Sequence, residues 1–348
     1  MAELVGPLMR GALASLGIDA VTPADTGRAP VESCDLIIVG GGPAGLAAGL
    51  YAARMNLETV LVDGGPIGGQ LLNTELIEDY PGVRSILGPS LAEIMTEQAQ
   101  QFGTEMIAAT VERIRVEPDG MKVIKSDQGE IRAPVVIITA GGNPRKLGVP
   151  GEAEFAGTGV SYCAVCDGAF FQGLHLAVVG GGDAALEEGI FLTRYASRVT
   201  IIHRRGEFRA QPILVQKAEE NPKVDFLFDT VVEAIEGDRK VAGLRLRNTR
   251  TDAVSTLEVG GVFVFVGFLP NTGLVDTHVD HDKAGYYLTD PMTMETSVAG
   301  IFAAGDVRSQ LTRQVTTAVG DATTATIAAT KWVEERARRA RAGSGEVQ

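Results

Sequence analysis

Two closely spaced cysteines carry the residue types best suited to redox chemistry. Cys163 and Cys166 are separated by two residues and followed directly by Asp167. Thiols at this spacing can close a small ring, and the ring can exchange with other disulfides once one sulfur is a thiolate. Asp167 could deliver or remove a proton as the ring opens. The spacing therefore predicts a redox-active disulfide with an acid/base group beside it.

Zinc is the competing interpretation of a Cys-x-x-Cys pair. A structural zinc site needs four ligands. Beyond Cys34, the other soft candidates are four histidines, of which His278 and His281 are unusually close together. We favour the disulfide over zinc and predict that Cys34 is a buried small hydrophobic residue. Three cysteines in 348 residues make no disulfide framework, which suits a cytosolic protein.

A glycine turn that could position these groups occurs twice, at an offset of 140 residues. Residues 35–45 and 175–185 each predict a short apolar strand, a glycine turn and the start of a helix. Second strands at 59–62 and 199–202 complete a strand-helix-strand unit in both copies. Such glycines let the backbone approach a pyrophosphate, which then binds the free amides of the helix start. A lone motif could be an ordinary turn, but the repeat predicts two dinucleotide sites.

The two copies differ at the end of the second strand, where Asp63 aligns with His203. An acidic side chain about 20 residues after the glycines accepts hydrogen bonds from ribose hydroxyls, as FAD or NAD requires. His203 is followed by Arg204, Arg205 and Arg209, which offer positive charge to a 2′-phosphate. The second site is therefore predicted to take NADP, the alternative being a solvated basic strand end.

The rest of each half repeats as well. Alternating runs near 111–116, 121–126 and 130–132 predict a meander that returns to a strand at 135–138, and 231–236, 241–248, 254–259 and 262–266 repeat it. A helical stretch from after residue 306 to about 341 belongs to neither copy. We therefore predict an α/β protein of two Rossmann-like, three-layer ββα dinucleotide-binding domains, the second inserted into the first. The predicted ranges are 34–145 with 270–342 for the first domain, 146–269 for the second, which carries the cysteines, and 343–348 for a flexible tail.

Composition and the N-terminus restrict location and partners. The formal net charge is −13 without a long basic run, which argues against nucleic acid as a partner. No stretch approaches the roughly 20 apolar residues that span a bilayer, and Glu3 and Arg10 are unlike an export signal. The protein is expected in the cytoplasm, away from membranes. An apolar stripe over 4–16 predicts an amphipathic helix and 23–30 a linker, so 1–33 would dock a partner or sister subunit, pack on the protein's own surface, or be disordered.

Taken together, these motifs resemble the low-molecular-weight thioredoxin reductases of bacteria and archaea, over about 35–333. The resemblance rests on both glycine turns, the runs 68–71, 80–82, 305–306 and 313–315, the basic run after 202, and the Cys-x-x-Cys-Asp motif between them. It implies a homodimeric FAD enzyme that takes electrons from NADPH and reduces thioredoxin or a thioredoxin-like protein. It further implies that Cys166 lies against the flavin, that Cys163 attacks the partner's disulfide, that Asp167 is the acid/base, and that the domains rotate between half-reactions.

The resemblance also assigns cofactor contacts. Those expected for FAD are Gly40, Gly42, Pro43, Ala44, Gly45, Asp63, Gly69, Gln70, Leu71, Asp79, Val111, Ala140, Gly141, Gly305, Asp306, Arg313, Gln314 and Val315. Those expected for NADPH are Gly180, Gly182, Asp183, Ala185, Glu187, His203, Arg204, Arg205 and Arg209. Asp79 stands where asparagine is common and could weaken flavin binding. Asp183 would face the NADPH pyrophosphate unless it is directed away.

Other functions stay open at this point. A reductase of this fold could serve a glutaredoxin-like or peroxidase-coupled carrier instead. A ferredoxin–NADP reductase would have no use for Cys163 and Cys166, and a disulfide oxidase running to oxygen would not need Arg204 and Arg205. From a different class comes a flavin- and NADP-binding sensor without turnover.

Overall fold

The computed structural model describes residues 32–74 and 76–344, with side chains described up to residue 339. The helix and linker predicted within 1–33 lie outside the described residues, apart from 32 and 33. The chain divides into two compact units, one running up to Gly142 and resuming at Pro270, the other comprising Asn143–Leu269. The described part contains six α-helices: α1 Pro43–Arg54, α2 Gly88–Gln101, α3 Ala164–Asp167, α4 Asp183–Leu192, α5 Pro212–Glu219 and α6 Val315–Ser344.

The larger unit is built on a five-stranded parallel sheet. Alternate residues of its central strand face opposite layers: Leu36 and Ile38 pack with the helices, and Ile37 and Val39 pack with the meander. Because both faces are covered, the central strands are apolar at every position. The strands, in spatial order, are Ile301–Ala303, Val135–Ile138, Leu36–Val39, Thr59–Asp63 and Glu105–Ala108. The meander consists of Val111–Val116, Lys122–Ser126 and Gly129–Ala133.

The smaller unit repeats this plan. In its central strand, Leu176 and Val178 pack with the helices, whereas Ala177 and Val179 pack with the meander. Its parallel strands, in spatial order, are Val160–Ser161, Gly261–Phe265, His175–Gly180, Arg198–Ile202 and Val224–Leu227. Its meander consists of Thr230–Gly237, Val241–Asn248 and Val254–Glu258. The predicted fold class is thus confirmed.

Two short sheets and three 3-10 helices lie outside the main sheets and the meanders. Two small sheets are formed by Leu76–Ile77 with Ile86–Leu87, and by Gly142–Pro144 with Phe268–Pro270. Three 3-10 helices cover Gly69–Asn73, Gly168–Phe171 and Gly305–Val307. The smaller unit begins at Asn143, close to the predicted start at 146. Helix α6 reaches Ser344 and so includes the first two residues of the predicted tail, and 345–348 lie outside the described residues.

A buried lysine joins the meander of the larger unit to α6. Lys122 is 1% exposed, and its Nζ donates to the carbonyl oxygens of Gly120 at 3.0 Å and Pro134 at 2.9 Å. The same ammonium lies 4.6 Å from the ring centroid of Trp332 on α6. Burial, together with the charge of Arg336, lowers the pKa of Lys122 to about 8. This contact fixes the C-terminal helix on the meander.

Candidate active site

The two cysteines that the sequence singles out are joined by a disulfide in the smaller unit. Their Cα atoms are 5.4 Å apart. Cys163 is the N-cap of α3, and its Sγ accepts a hydrogen bond from the Cys166 amide at 3.1 Å. Both residues are partly exposed, which leaves the pair open to exchange with another disulfide.

Asp167, the last residue of α3, is held by a serine that the sequence analysis missed. The Ser161 hydroxyl donates to Asp167 Oδ2 at 2.6 Å and accepts from the Cys163 amide at 3.1 Å. It also lies 3.1 Å from the Cys163 carbonyl oxygen. A serine two residues before the amide that it accepts from is a common local turn pattern, and this signal could have drawn attention to Ser161.

A buried carboxylate ties the start of the smaller unit to the segment before Cys163. Glu152 is 3% exposed and accepts from the amides of Leu147 at 2.7 Å and Gly148 at 2.6 Å. It also accepts from the Tyr162 hydroxyl at 2.8 Å. Burial, followed by the contact with Glu152, raises the pKa of Tyr162. Three donors thus compensate one buried charge, in line with the rule that buried charges are hydrogen-bonded.

The first glycine turn is packed on its inner side and open on its outer side. A Cβ at Gly45 would overlap the Gly40 carbonyl oxygen and lie 2.9 Å from Thr139 Oγ1. The start of α1 can therefore lie this close to the strand only because residue 45 is glycine. At Gly42 the nearest atom to such a Cβ would be Gly69 Cα at 3.9 Å. Pro43, in the first turn of α1, has no amide hydrogen to leave unpaired. The open side fits a pyrophosphate approaching the helix start.

Asp63 ends its strand beside this turn, as the sequence predicts. Its Oδ2 accepts from the Gly41 amide at 2.5 Å and its Oδ1 from the Gly65 amide at 2.7 Å. Burial raises the pKa of Asp63, and the two amides oppose this effect. Each oxygen keeps further acceptor capacity, which fits a ribose hydroxyl.

Two further turns flank the first glycine turn. A Cβ at Gly69 would come 2.9 Å from Gly42 Cα, and one at Gly305 would come 3.0 Å from the Cβ of Ala44. Burial raises the pKa of Asp306, whereas Arg313 lowers it. The structure thus brings together Gly40–Gly45, Asp63, Gly69, Gly305 and their neighbours in sequence, Gln70, Leu71 and Asp306.

The other residues predicted to contact the flavin belong to several different elements of the larger unit. Asp79 is exposed after the strand Leu76–Ile77, and Val111 begins the meander. Arg313 lies 4.2 Å from the ring centroid of Tyr286. Ala140 and Gly141 follow the strand Val135–Ile138, and Gln314 and Val315 stand at the start of α6. Their contacts with the flavin remain predictions.

An ion pair that the sequence analysis did not foresee supports the Gly305 turn. Arg308 Nη1 lies 3.0 Å from Asp321 Oδ1, and each side chain is only 12% exposed. The other oxygen of Asp321 accepts from the Gly305 amide at 3.3 Å. Asp321 belongs to α6, so this pair fixes the turn on the C-terminal helix.

The second glycine turn has the same design, with a basic strand end in place of Asp63. A Cβ at Gly181 would overlap the ring of His203, just as one at Gly41 would lie 3.2 Å from Asp63 Oδ2. In both copies the middle glycine therefore faces the residue at the end of the second strand, Asp63 in the first copy and His203 in the second. Gly182 has open space where its Cβ would be.

His203 has a ring nitrogen without a hydrogen-bond partner among the described residues, and a bound anion could serve as that partner. It is 5% exposed, its ring stacks on Phe208 with centroids 5.6 Å apart, and its buried Nε2 has no hydrogen-bond partner among the described residues. Burial lowers the pKa of His203, and Arg209 and Arg205 lower it further. The three arginines of this group, Arg204, Arg205 and Arg209, are exposed. A buried unpaired nitrogen beside three guanidinium groups fits a phosphate.

The carboxylate of Asp183 is engaged by the residue before α5. Its Oδ1 accepts from the Gln211 amide at 2.8 Å, and its Oδ2 accepts from Gln211 Nε2 at 3.2 Å. The Asp183 carboxylate is thus directed toward Gln211. Of the remaining predicted NADPH residues, Gly180 and Ala185 are buried and Glu187 is exposed.

In the part of the chain that the structure describes, no group of three or more His, Cys, Asp or Glu side chains could hold a metal ion. Within the same residues, no helix is long and apolar enough to cross a membrane.

Comparison with known proteins places this site in a family. The model of the pyridine nucleotide-disulphide oxidoreductases matches residues 34–322. A thioredoxin reductase of Bacillus subtilis is 48% identical over 86% of this chain and 95% of its own length. A bifunctional thioredoxin reductase/thioredoxin of Mycobacterium leprae is 45% identical over 87% of this chain and 66% of its own length.

Solved structures agree with the sequence relatives. A crystal structure of Lactococcus lactis thioredoxin reductase superposes with a TM-score of 0.85 at 43% identity, covering 87% of this chain and 99% of that one. A thioredoxin reductase of T. acidophilum gives a TM-score of 0.83 at 33% identity, covering 86% and 98%.

Proposed function

We infer the reaction from the premise that the chain belongs to the pyridine nucleotide-disulphide oxidoreductase family, as one of its thioredoxin reductases. It is an NADPH-dependent flavoprotein disulfide oxidoreductase that reduces the disulfide of thioredoxin. The observation that carries this conclusion is the partly exposed Cys163–Cys166 disulfide in a chain with two dinucleotide turns. When bound, FAD supplies the two-electron relay between NADPH and this disulfide.

We propose that the larger unit holds the flavin. The open side of Gly42 and the amides at the start of α1 would bind the pyrophosphate, and Asp63 would bind the ribose. The Gly69 and Gly305 turns would close around the same cofactor. This assignment is supported by the packing of the three turns against one another.

The smaller unit would then bind NADPH beside its glycine turn. Gly182 leaves room for the pyrophosphate, and His203 with its three neighbouring arginines would bind the 2′-phosphate. Rotation of the two units between half-reactions is part of the proposal, with Gly142–Pro144 and Phe268–Pro270 as the candidate hinges.

At the disulfide, we propose distinct roles for the two sulfurs. In the reduced pair, Cys163 gives its proton to Asp167 and bonds to one sulfur of the partner's disulfide, whose S–S bond breaks. The released partner sulfur takes up that proton from Asp167. Cys166 then gives up its own proton and bonds to Cys163, and the second partner sulfur leaves Cys163 and takes up that second proton. Cys166 is also the sulfur that we propose lies against the flavin, and we propose that the protein acts as a cytoplasmic homodimer.

Anaerobic reduction with NADPH tests this function. We expect NADPH to bleach the flavin and release two thiols, and thioredoxin to be reduced. Cys166→Ser should still bleach but should reduce no protein disulfide. Cys34→Ser is the matched control, since Cys34 is a free buried cysteine outside the pair. Thioredoxin reduction by Cys166→Ser at the wild-type rate would refute the proposed role of the disulfide.

A further inference from the structure

Ser161 makes more contacts around the cysteine pair than its single hydroxyl proton can serve. The residue is 3% exposed at the end of the strand Val160–Ser161. Two acceptors surround its oxygen, Asp167 Oδ2 at 2.6 Å and the Cys163 carbonyl oxygen at 3.1 Å. A serine hydroxyl has one proton to donate, so only one of these acceptors can receive it at a time.

The protonation state of Asp167 decides which acceptor that is. When Asp167 is ionised, its charged oxygen is both the nearer and the stronger acceptor, and it takes the serine proton. When Asp167 is protonated, its own hydroxyl can donate to Ser161 Oγ. The serine proton is then free to turn to the Cys163 carbonyl oxygen. Ser161 Oγ and Asp167 Oδ2 stay hydrogen-bonded to each other in both states, so the carboxyl group can gain and lose its proton without moving.

We propose that Ser161 is a positioning residue for disulfide exchange, which holds the Asp167 carboxyl group in both of its protonation states by switching its donated hydrogen bond between Asp167 and Cys163. This inference rests on the acid/base role proposed for Asp167. Ser161 touches neither the partner's sulfur nor the flavin in this role. It acts through Asp167, and through its contact with the Cys163 amide it also fixes the start of α3.

A second serine in the chain shows the expected physical effect on a carboxylate. Ser309 Oγ donates to Asp282 Oδ2 at 2.7 Å. Burial works to raise the pKa of Asp282, but the hydrogen bonds from Ser309 and from nearby backbone amides outweigh it, and that pKa lies below its ordinary value. Ser161 makes the same kind of bond to Asp167, so replacing it removes a hydrogen bond to that carboxylate.

Other ionisable groups lie on the elements around α3. Helix α4 packs against α3 and carries Asp183, Glu187 and Glu188, and Tyr195 lies against Gly168. Tyr162, next to Ser161 in sequence, is bound to Glu152. None of these groups is altered by a change at Ser161, so a shift in the titration of the exchange step in a Ser161 variant can be assigned to the lost hydroxyl.

The test compares Ser161→Ala with Ser161→Thr in the FAD-loaded enzyme. Each variant is reduced with NADPH and mixed with oxidised thioredoxin in a stopped-flow instrument across a pH series. Removal of one hydrogen bond to the carboxylate should raise the apparent pKa of the exchange step by about one unit. Threonine keeps the hydroxyl and should restore the wild-type profile. Ser309→Ala, which removes a serine–aspartate bond elsewhere, should keep that profile as well.

The outcomes separate this inference from the function on which it rests. An unchanged profile in Ser161→Ala, or a threonine variant that retains flavin but stays shifted, would overturn the role of Ser161. Asp167→Asn checks the premise. If this variant exchanges with thioredoxin at the wild-type rate and with the wild-type profile, the acid/base role of Asp167 fails. If it loses the profile while Ser161→Ala does not shift it, only the role of Ser161 fails.

Discussion

At the scale of single residues, Lys122 and His203 are two buried bases with pKa values below the ordinary ones. For Lys122 the main cause is burial, and the ammonium is compensated by two carbonyl oxygens and an indole ring. For His203 burial acts together with neighbouring guanidinium groups, and Nε2 lacks a partner among the described residues. The lysine therefore has all its contacts within the folded chain, whereas the unpaired nitrogen of the histidine fits the proposed 2′-phosphate site.

Lys122 should make the stability of the protein depend on pH. Its pKa is about 8 in the folded chain and 10.5 in the unfolded chain, so the unfolded state binds more protons between these values. Stability therefore rises with pH through this window. Relative to Lys122→Met, the free energy of unfolding of the wild type should increase by about 3 kcal/mol from pH 8 to 10.5. Urea unfolding followed by circular dichroism measures it, and a constant difference would contradict the lowered pKa.

His203 should make binding of a 2′-phosphate depend on pH. In the proposed site, a bound phosphate would offset the arginine charges and raise the pKa of the His203 ring, so binding would take up a proton. The affinity for 2′,5′-ADP should therefore increase as the pH falls from about 7.5 to 5.5. Calorimetric titrations of the wild type and His203→Gln isolate this effect, because protonation of the phosphate itself is common to both. Parallel pH dependences in the two proteins would show that the ring does not contact the phosphate.

At the scale of elements, the sequence was sufficient to predict the strands and the glycine turns. It was not sufficient to predict side-chain contacts between elements that are distant in the sequence. The strand Val135–Ile138 and the glycine turns were predictable because apolar runs and tight turns are encoded by neighbouring residues. The sequence correspondence between Asp63 and His203 was also predictable, because the 140-residue repeat aligns the two positions. The Arg308–Asp321 pair depends on how α6 packs, and no spacing in the sequence shows this. Glu152 escaped notice for a similar reason, since a buried carboxylate and an exposed one look alike in a sequence.

An added methyl group should act differently on the open side and on the packed side of a glycine turn. Gly182 has φ −107 and open space at its Cβ position, so Gly182→Ala should fold with an unchanged melting temperature. The methyl group would occupy space needed by the pyrophosphate and should raise the KM for NADPH about tenfold or more. Gly45→Ala would instead force a Cβ onto the Gly40 carbonyl oxygen and should prevent retention of FAD. A Gly182→Ala enzyme with the wild-type KM would place the pyrophosphate elsewhere.

At the scale of the whole molecule, each unit has a complete core of its own. In the smaller unit, one hydrophobic cluster lies between sheet and helices and another between sheet and meander. Its residues form one continuous segment, Asn143–Leu269, whose end strands belong to a single small sheet. The ends of an inserted domain are thus close together, a condition under which such domains fold independently.

The isolated segment 143–269 should therefore fold by itself. We expect cooperative thermal unfolding, and binding of 2′,5′-ADP with an affinity close to that of the whole chain, since the groups proposed to bind it lie within the segment. Circular dichroism and calorimetry measure the two properties. An isolated segment that stays unfolded would mean that the larger unit contributes to its stability.

Trp332 also gives the protein an intrinsic fluorescent probe in a defined position. It is the one tryptophan in the sequence and belongs to α6 of the larger unit, whereas the inserted segment has none. Its fluorescence therefore reports on the larger unit alone, with no label attached. Because the Lys122 ammonium lies over the indole face, the emission should also change as that amine titrates with its pKa of about 8. Unfolding of the larger unit can thus be followed in the intact chain with excitation light that tryptophan absorbs and tyrosine does not.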